Sequence, residues 1–247
     1  MSAILTLWER ELVRFYRDRS RIVGALTPPI VFWFVIGSGA GTSFRLGSMS
    51  FLQYFFSGTL VLIVLFTSIF ATISIIEDRR EGFLQSVLVA PIPRISIVLG
   101  KVLGASTVGF AQGMTFLIFA PLVGLHAGGI PAAALALLLC SVGLTGLGFC
   151  IAWKLDSTQG FHAVMNLFLI PMWMLSGALF PLSTAPAWLA ALIRLNPVTY
   201  GVAALQQALT PGQPAAAPLP LCMAVLAAFA VAMMLVSAAV ASRRDAR

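Results

Sequence analysis

The stretch VLGASTVGFAQGMTFLIFAPLVGLHAGGIPAAALALLLCSVGLTGLGFCIAW, residues 102–153, contains no charged residue. A helix that crosses a bilayer needs about 20 apolar residues, so the stretch is long enough for two crossings. Glycine and proline cluster near its middle, at residues 126–131, as expected of a turn. The stretch therefore predicts two membrane-spanning helices joined by a short turn.

The rest of the chain has the same character. Its 247 residues are 60% hydrophobic and only 9% charged, with a mean hydropathy of +0.99, whereas about 25% of the residues in soluble domains are charged. Prolines divide the last two charge-free runs, so each of them holds one crossing. We therefore expect an all-α polytopic membrane protein in one domain, residues 1–247, with six spans at about 22–41, 52–76, 99–124, 131–153, 160–180 and 219–241.

The distribution of basic residues predicts the orientation. Lysine and arginine near the ends of spans are retained on the cytoplasmic side. If both termini are cytoplasmic, every basic residue except Arg45 and Arg194 lies inside, together with all eight acidic residues. We expect a bacterial cytoplasmic (inner) membrane protein, and we assign its net charge of +7 to orientation and headgroup attraction rather than to nucleic-acid binding.

Several chemistries are disfavoured by what the sequence lacks. The one Gly-Lys pair, Gly100-Lys101, is followed by Val102 and has no upstream glycine at the spacing of a phosphate-binding loop. Cysteines and histidines are isolated, so we expect no catalytic residue, cofactor or metal site in this chain. Because no ionisable residue lies at mid-membrane depth, an ion-coupled carrier is also disfavoured.

Residues 3–18 predict an amphipathic helix at the membrane interface. Its apolar face includes Leu5 and Trp8, and arginines occupy the opposite face. Such a helix serves either as an anchor or as an elbow that braces a cytoplasmic partner. The elbow residues are Trp8, Arg10, Arg14 and Arg17.

The loop at residues 77–98 follows the second predicted span. Residues 82–90 predict a short helix, which Pro91 and Pro93 end. Its apolar side chains are too few to cross a bilayer and form a poor surface to leave in water. They pack either under their own bundle or against a second protein.

The segment at 184–210 precedes the last span. Two apolar stretches, 187–195 and 198–209, are too short to cross, and Asn196-Pro197 separates them. This pattern is typical of re-entrant or interfacial helices.

Taken in order, these motifs resemble the permease subunits of type 2 ATP-binding-cassette (ABC) exporters, of the daunorubicin/multidrug and polysaccharide export type. The resemblance rests on Glu77, the turn Glu81-Gly82-Phe83-Leu84, Pro91-Ile92-Pro93-Arg94, Gly100-Lys101, Ser176-Gly177-Ala178-Leu179-Phe180-Pro181, Pro186-x-Trp188-Leu189 and Asn196-Pro197-Val198-Thr199-Tyr200-Gly201. It covers most of the chain. Phe83 and Gln85 depart from the threonine and glutamate usual in that family.

The resemblance implies a homodimer that forms an export pathway, with a coupling helix in the 77–98 loop that docks on one of two separate ATPase subunits, which hold ATP and magnesium. It implies ATPase-coupling residues Glu77, Glu81, Gly82, Phe83, Leu84, Pro91 and Arg94, and pathway residues Pro28, Phe32, Asn166 and Met172 on the first and fifth spans. The nearly uncharged outer half suggests an amphiphilic, drug-like or lipid-linked substrate. A membrane scaffold or assembly factor that transports nothing, or a secondary carrier, remains the alternative.

Overall fold

The computed structural model describes residues 3–39, 45–46, 49–179, 182, 185–212 and 215–242. These residues are helical almost throughout, which confirms the predicted all-α fold, and one pair of two-residue antiparallel strands precedes the third helix. The strands are Arg45–Leu46 (β1) and Met49–Ser50 (β2), and the helices are Ala3–Arg17 (α1), Arg19–Gly39 (α2), Phe51–Arg80 (α3), Phe83–Val89 (α4), Arg94–Leu117 (α5), Ile130–Lys154 (α6), Thr158–Trp173 (α7), Ala187–Leu195 (α8), Pro197–Leu209 (α9) and Leu219–Ser242 (α10).

Six helices are long and apolar enough to cross a membrane, as predicted: α2, α3, α5, α6, α7 and α10. Two of them extend furthest beyond the predicted limits. Helix α3 continues to Arg80, and α5 begins at Arg94, directly after Pro93. Some predicted positions lie outside the described residues. They are residues 40 and 41 at the end of the first predicted span, Phe180 and Pro181 of the outer motif, and residue 184 at the start of the outer segment.

Helix α3 is the centre of the bundle. It packs against α2, α5, α6, α7 and α9, and Phe55, Phe56 and Ile63 are fully buried along it. Its first turn is fixed by a capping box, in which the Ser50 hydroxyl accepts from the Gln53 amide and the Gln53 side chain accepts from the Ser50 amide. By contrast, α2 and α10 lie at the periphery, where few of their residues are buried.

The predicted pair of short outer helices is present as α8 and α9, with an angle of 89° between them. Asn196 forms the corner. Its side-chain oxygen accepts from the Val198 amide at 3.0 Å, which caps α9. Its amide group donates to the Met172 and Leu175 carbonyls at 2.5 and 3.2 Å, where α7 opens into a wide helical turn, Met174–Ala178. One residue thus holds three chain segments together.

We name the two ends of the bundle by their short helices. The α4 end carries α4, the last turn of α3 and the α6–α7 loop, and the α8 end carries α8 and the corner at Asn196.

Candidate functional site at the α4 end

A buried ion triad lies at the α4 end. The Lys101 ammonium group on α5 is 2.7 Å from the Glu11 carboxylate on α1 and also contacts the Asp78 carboxylate on α3. Lys101, Glu11 and Asp78 are only 3%, 5% and 0% exposed. Ions removed from water this completely are tolerated when they are paired and hydrogen-bonded. The triad therefore fixes the positions of three helices relative to one another.

Arginines from α1 and α2 extend this triad. Arg10 and Arg14 of α1 bind Asp78 at 2.6 and 2.5 Å, and Arg14 also binds Glu77 at 2.7 Å. Arg21 of α2 is 2.5 Å from Glu77. Burial alone would lower the pKa of the Arg14 guanidinium, but the charges of Asp78 and Glu77 outweigh burial and raise it. Arg14 therefore stays charged.

Together these groups form what we call the ion-pair network. It comprises four basic and four acidic side chains, Arg10, Glu11, Arg14, Asp18, Arg21, Glu77, Asp78 and Lys101. Each member has at least one partner of opposite charge, and the exposed Glu81 lies 3.6 Å from Arg14 at the edge of the network. Removing Lys101 would leave Glu11 with only the 3.4 Å contact to Arg10, and loss of one partner of a buried ion pair typically costs about 3–5 kcal/mol.

The close approach of α1 to α5 depends on two glycines. A Cβ atom at Gly100 would lie 2.5 Å from the Leu7 Cβ, and one at Gly104 would lie 2.7 Å from the Glu11 Cβ. These distances are far shorter than any normal carbon–carbon contact. The two glycines, four residues apart on one face of α5, thus admit the amphipathic helix, and they place Glu11 beside Lys101.

Two further arginines join the end of α3 to neighbouring elements. Arg79 donates to the Leu155 carbonyl at 3.0 Å and to the Asp156 carboxylate at 2.8 Å, in the loop between α6 and α7. Arg80 donates to the Asp156 carbonyl at 3.0 Å. The turn that begins α4 is therefore attached to four other parts of the bundle: α1, α2, α5 and the α6–α7 loop.

The short helix predicted at residues 82–90 is present as α4, Phe83–Val89. Gly82 begins it with a φ of 76°, a left-handed conformation that glycine adopts without a Cβ clash. Leu84 is only 2% exposed, so its side chain packs into its own bundle, whereas Val89 is 85% exposed. Packing under its own bundle, one of the two alternatives left open by the sequence, therefore applies to Leu84, whereas Val89 is left exposed.

The remaining predicted coupling residues have separate contacts. The Arg10 guanidinium lies 3.7 Å from the centre of the Phe83 ring, a cation–π contact between α1 and α4. Glu81 is exposed and 3.6 Å from Arg14. Pro91 is exposed, and Arg94 donates to the Ala241 carbonyl at the end of α10 at 3.0 Å. Because Leu84 is buried, a charged substitution at this position would destabilise the bundle itself.

The predicted elbow helix has more contacts than an interfacial anchor requires. Trp8 donates to the Thr107 hydroxyl on α5 at 3.1 Å, and Arg10 and Arg14 belong to the ion-pair network. Arg17 and Tyr16 are exposed. Helix α1 thus has one face on α5, one on the end of α3 and one exposed.

The predicted pathway residues lie on two different helices. Pro28 and Phe32 are on α2, and Asn166 and Met172 are on α7; both helices pack on α3. Phe32 and Asn166 are exposed, whereas Met172 is partly buried and its carbonyl accepts from Asn196. In the single chain, Phe32 and Asn166 therefore lie at the surface.

Comparison with known proteins identifies the family. The family model for ABC-2 type transporters matches residues 2–210, most of the chain. The chain belongs to this family. As an ABC-2 type permease, it is the membrane component of an ABC transporter and a multi-pass membrane protein, and its family works with ABC ATPase components.

Named relatives agree with this assignment over much of their length. The permease is 26% identical over 206 residues to the putative transport permease ycf38 of Cyanophora paradoxa, a match that covers 81% of this chain and 71% of the relative. It is 24% identical over 245 residues to nodulation protein J of Rhizobium leguminosarum bv. viciae, with 97% and 94% covered. It is 29% identical over 176 residues to the linearmycin resistance permease protein LnrN of Bacillus subtilis, with 70% and 45% covered.

Sequence reasoning missed the centre of this site. Glu11, Asp78 and Lys101 were not among the predicted coupling residues of this ABC-2 type permease. One signal was present: Glu11 lies four residues from both Leu7 and Phe15, so a charged residue interrupts an apolar helical stripe. Such a residue needs a buried partner of opposite charge.

Proposed function

We propose that this chain is the permease subunit of an ATP-driven exporter. Two copies form the pathway, two separate ATPase subunits bind at the α4 ends, and the α4 end faces the cytoplasm in a bacterial inner membrane. Membership of the ABC-2 type transporter family supports this proposal. So does the concentration of basic residues around α4, which is expected of the cytoplasmic side.

One observation carries the coupling role: α4 has an exposed apolar face and a firmly attached base. Leu88 and Val89 are exposed, and an exposed apolar helix in a charged setting is a typical docking surface. At its base, Phe83 lies under Arg10, which binds Asp78. A displacement of α4 is thereby passed to α1, α3 and α5.

The ion-pair network allows this displacement to be a switch between two states. ATP shifts the permease only if it favours one arrangement of the bundle over another. Because Asp78 and Glu77 each bind more than one basic group, helices can exchange partners while every charge remains paired. Inward-open and outward-open states would then differ in pairing without a buried charge being exposed.

The proposed substrate is amphiphilic, drug-like or lipid-linked. Support comes from the exposed apolar faces of α2 and α7, which include the exposed side chains of Phe32 and Leu167. Relatives named for linearmycin resistance and for multidrug transport are consistent with such a cargo. Pro28, Phe32, Asn166 and Met172 would line the pathway when two copies meet.

The test is a charge placed on the exposed face of α4. Val89→Asp should abolish stoichiometric co-purification with a co-expressed cognate ABC ATPase and should leave the melting temperature unchanged, because exposed substitutions alter stability by about 0.5 kcal/mol or less. The control is Leu195→Asp, which changes an equally exposed leucine at the α8 end. The proposal fails if Val89→Asp retains the ATPase and ATP-driven export. A scaffold or a secondary carrier predicts no stoichiometric ATPase even with the unsubstituted chain.

A further inference from the structure

A basic pocket lies where α1 meets α2. Its volume is about 800 Å³. Four arginines line it together with one valine and two acidic residues: Arg10, Val13, Arg14, Arg17, Asp18, Arg19 and Glu81. Arg10 and Arg14 already belong to the ion-pair network, so the question is which charges remain available.

Arg17 and Arg19 are the available charges. Both are exposed, and in the part of the chain that the structure describes neither forms an ion pair or a side-chain hydrogen bond. They are two residues apart, on either side of Asp18, where α1 ends and α2 begins. Two guanidinium groups that share one opening are suited to a phosphate group, which they can bind with paired hydrogen bonds.

The acidic residues of the pocket do not neutralise this pair. Asp18 accepts from the Ser20 hydroxyl at 2.5 Å and binds Arg21 at 2.8 Å, and these contacts, the Ser20 bond first, lower its pKa. The Asp18 carboxylate is therefore engaged by Ser20 and Arg21 in the first turn of α2. Glu81 lies 3.6 Å from Arg14. The pocket keeps a positive surplus carried by Arg17 and Arg19.

An exposed and mostly apolar stripe rises from the pocket along α2. Residues four, eight, eleven and fifteen positions after Arg19 fall on the same side of the helix as Arg19. They are Val23, Thr27, Ile30 and Phe34, all exposed, with Val23 at 60% and Phe34 at 65%. Because α2 is a candidate membrane span, this stripe faces a hydrocarbon environment directly above the arginines.

We propose that this pocket binds the phosphate group of an anionic phospholipid, with an acyl chain lying along the Val23, Thr27, Ile30 and Phe34 stripe. The pocket supplies charge at headgroup depth, and the stripe supplies apolar surface for the chain. An acidic segment of a partner protein would match Arg17 and Arg19 but would not cover a stripe within the membrane span. This site is independent of export and of the ATPase.

The stripe is also distinct from the proposed pathway surface. At about 100° per residue, Pro28 lies about 180° around α2 from Arg19, and Phe32 about 220°. A second copy that covers Pro28 and Phe32 would leave the stripe open to lipid. The lipid site and the proposed dimer therefore do not compete for the same face of α2.

Native mass spectrometry of the detergent-purified protein tests this site. The unsubstituted protein should bind dioleoyl phosphatidylglycerol more tightly than dioleoyl phosphatidylcholine. Arg19→Gln should weaken phosphatidylglycerol binding about fivefold, as should Arg17→Gln, which is the expected contribution of one arginine to headgroup attraction. The matched control is Lys154→Gln, which removes one exposed charge from the same end of the bundle and should leave binding unchanged.

Each other outcome overturns the proposal. Equal losses for Arg19→Gln and Lys154→Gln would mean general charge attraction without a site. Full competition by inorganic phosphate, or equal binding of short-chain dihexanoyl phosphatidylglycerol, would mean an anion site that uses no acyl chain. If Arg17→Gln or Arg19→Gln no longer bound a co-expressed ATPase but still bound the lipid, the arginines would be assigned to a protein partner. Size-exclusion elution of each variant at the wild-type position shows that it is folded.

Discussion

The two ends of the bundle differ in the kind of contact that joins their helices. At the α4 end, separate helices are joined by ion pairs between side chains, centred on Lys101 and Asp78. At the α8 end, they are joined by neutral side chains that donate to backbone carbonyls: Asn196 to Met172, Tyr54 to Gly177 and Trp173 to Gly58. Each of these three bonds joins one donor to one backbone carbonyl, whereas carboxylates shared among several basic groups can exchange partners.

This difference suggests a division of labour. The α8 end is a fixed cap, because moving it would leave buried carbonyl groups without donors. We expect the α4 end to rearrange as a unit, because Asp78 and Glu77 each have more than one basic partner. The same network, however, is very sensitive to the loss of a single member.

The largest effect is expected at the centre of the ion-pair network. Lys101→Met removes the most deeply buried basic partner of Glu11 and Asp78 and should lower the free energy of unfolding by about 3–5 kcal/mol. Thermal unfolding in detergent measures the change, and Lys154→Met, at an exposed lysine of α6, is the control. A melting temperature within error of the control would contradict the buried triad.

The next largest effect is expected at the α8 end, where the helices are joined by uncharged side chains. Asn196→Ala removes the cap of α9 and two bonds to the turn after α7, at about 1 kcal/mol for each bond, or about 3 kcal/mol in all. Asn196→Asp keeps the capping oxygen and loses only the two donors, so it should retain part of this stability. If both variants unfold like the unsubstituted protein, the corner is not what holds the α8 end.

A smaller effect is expected where α1 packs on α5 at Gly104, because this change disturbs the helix contact without removing a charge. Gly104→Ala places a methyl group 2.7 Å from the Glu11 Cβ and should force α1 away from α5, at about 1–3 kcal/mol. The control is Gly160→Ala on α7, where the nearest side-chain atom is 3.5 Å away. Limited proteolysis between α1 and α2 reports the displacement, and equal cleavage of the two variants would count against the contact.

The smallest effect is expected at Trp8, whose side chain bonds to Thr107 on α5. Trp8→Phe retains most of the apolar area and loses the bond to Thr107, at about 0.5–1.5 kcal/mol. Thr107→Val should cost a similar amount, and the double variant should cost no more than either single one, because both remove the same bond. Additive losses in a double-mutant cycle would show that Trp8 and Thr107 act separately.

Elements governed by local chemistry were predictable from the sequence. The six spans followed from apolar runs, α4 from its flanking prolines, and the α8–α9 break from Asn196-Pro197. The ion triad was not predictable, because Glu11, Asp78 and Lys101 lie on three helices whose relative rotation depends on tertiary packing. Gly100 and Gly104 indicated that a helix approaches closely, but not which one.

Helix α3 has 30 residues and one unbroken axis, which at 1.5 Å per residue makes a rod about 45 Å long. It carries Asp78 near one tip and Tyr54, which donates to the Gly177 carbonyl, near the other. A tilt of about 5° about either tip would move the opposite tip by about 4 Å, further than any hydrogen bond can stretch. The length of this one helix is therefore enough to turn a small rotation at the α4 end into a broken contact on the far side of the membrane.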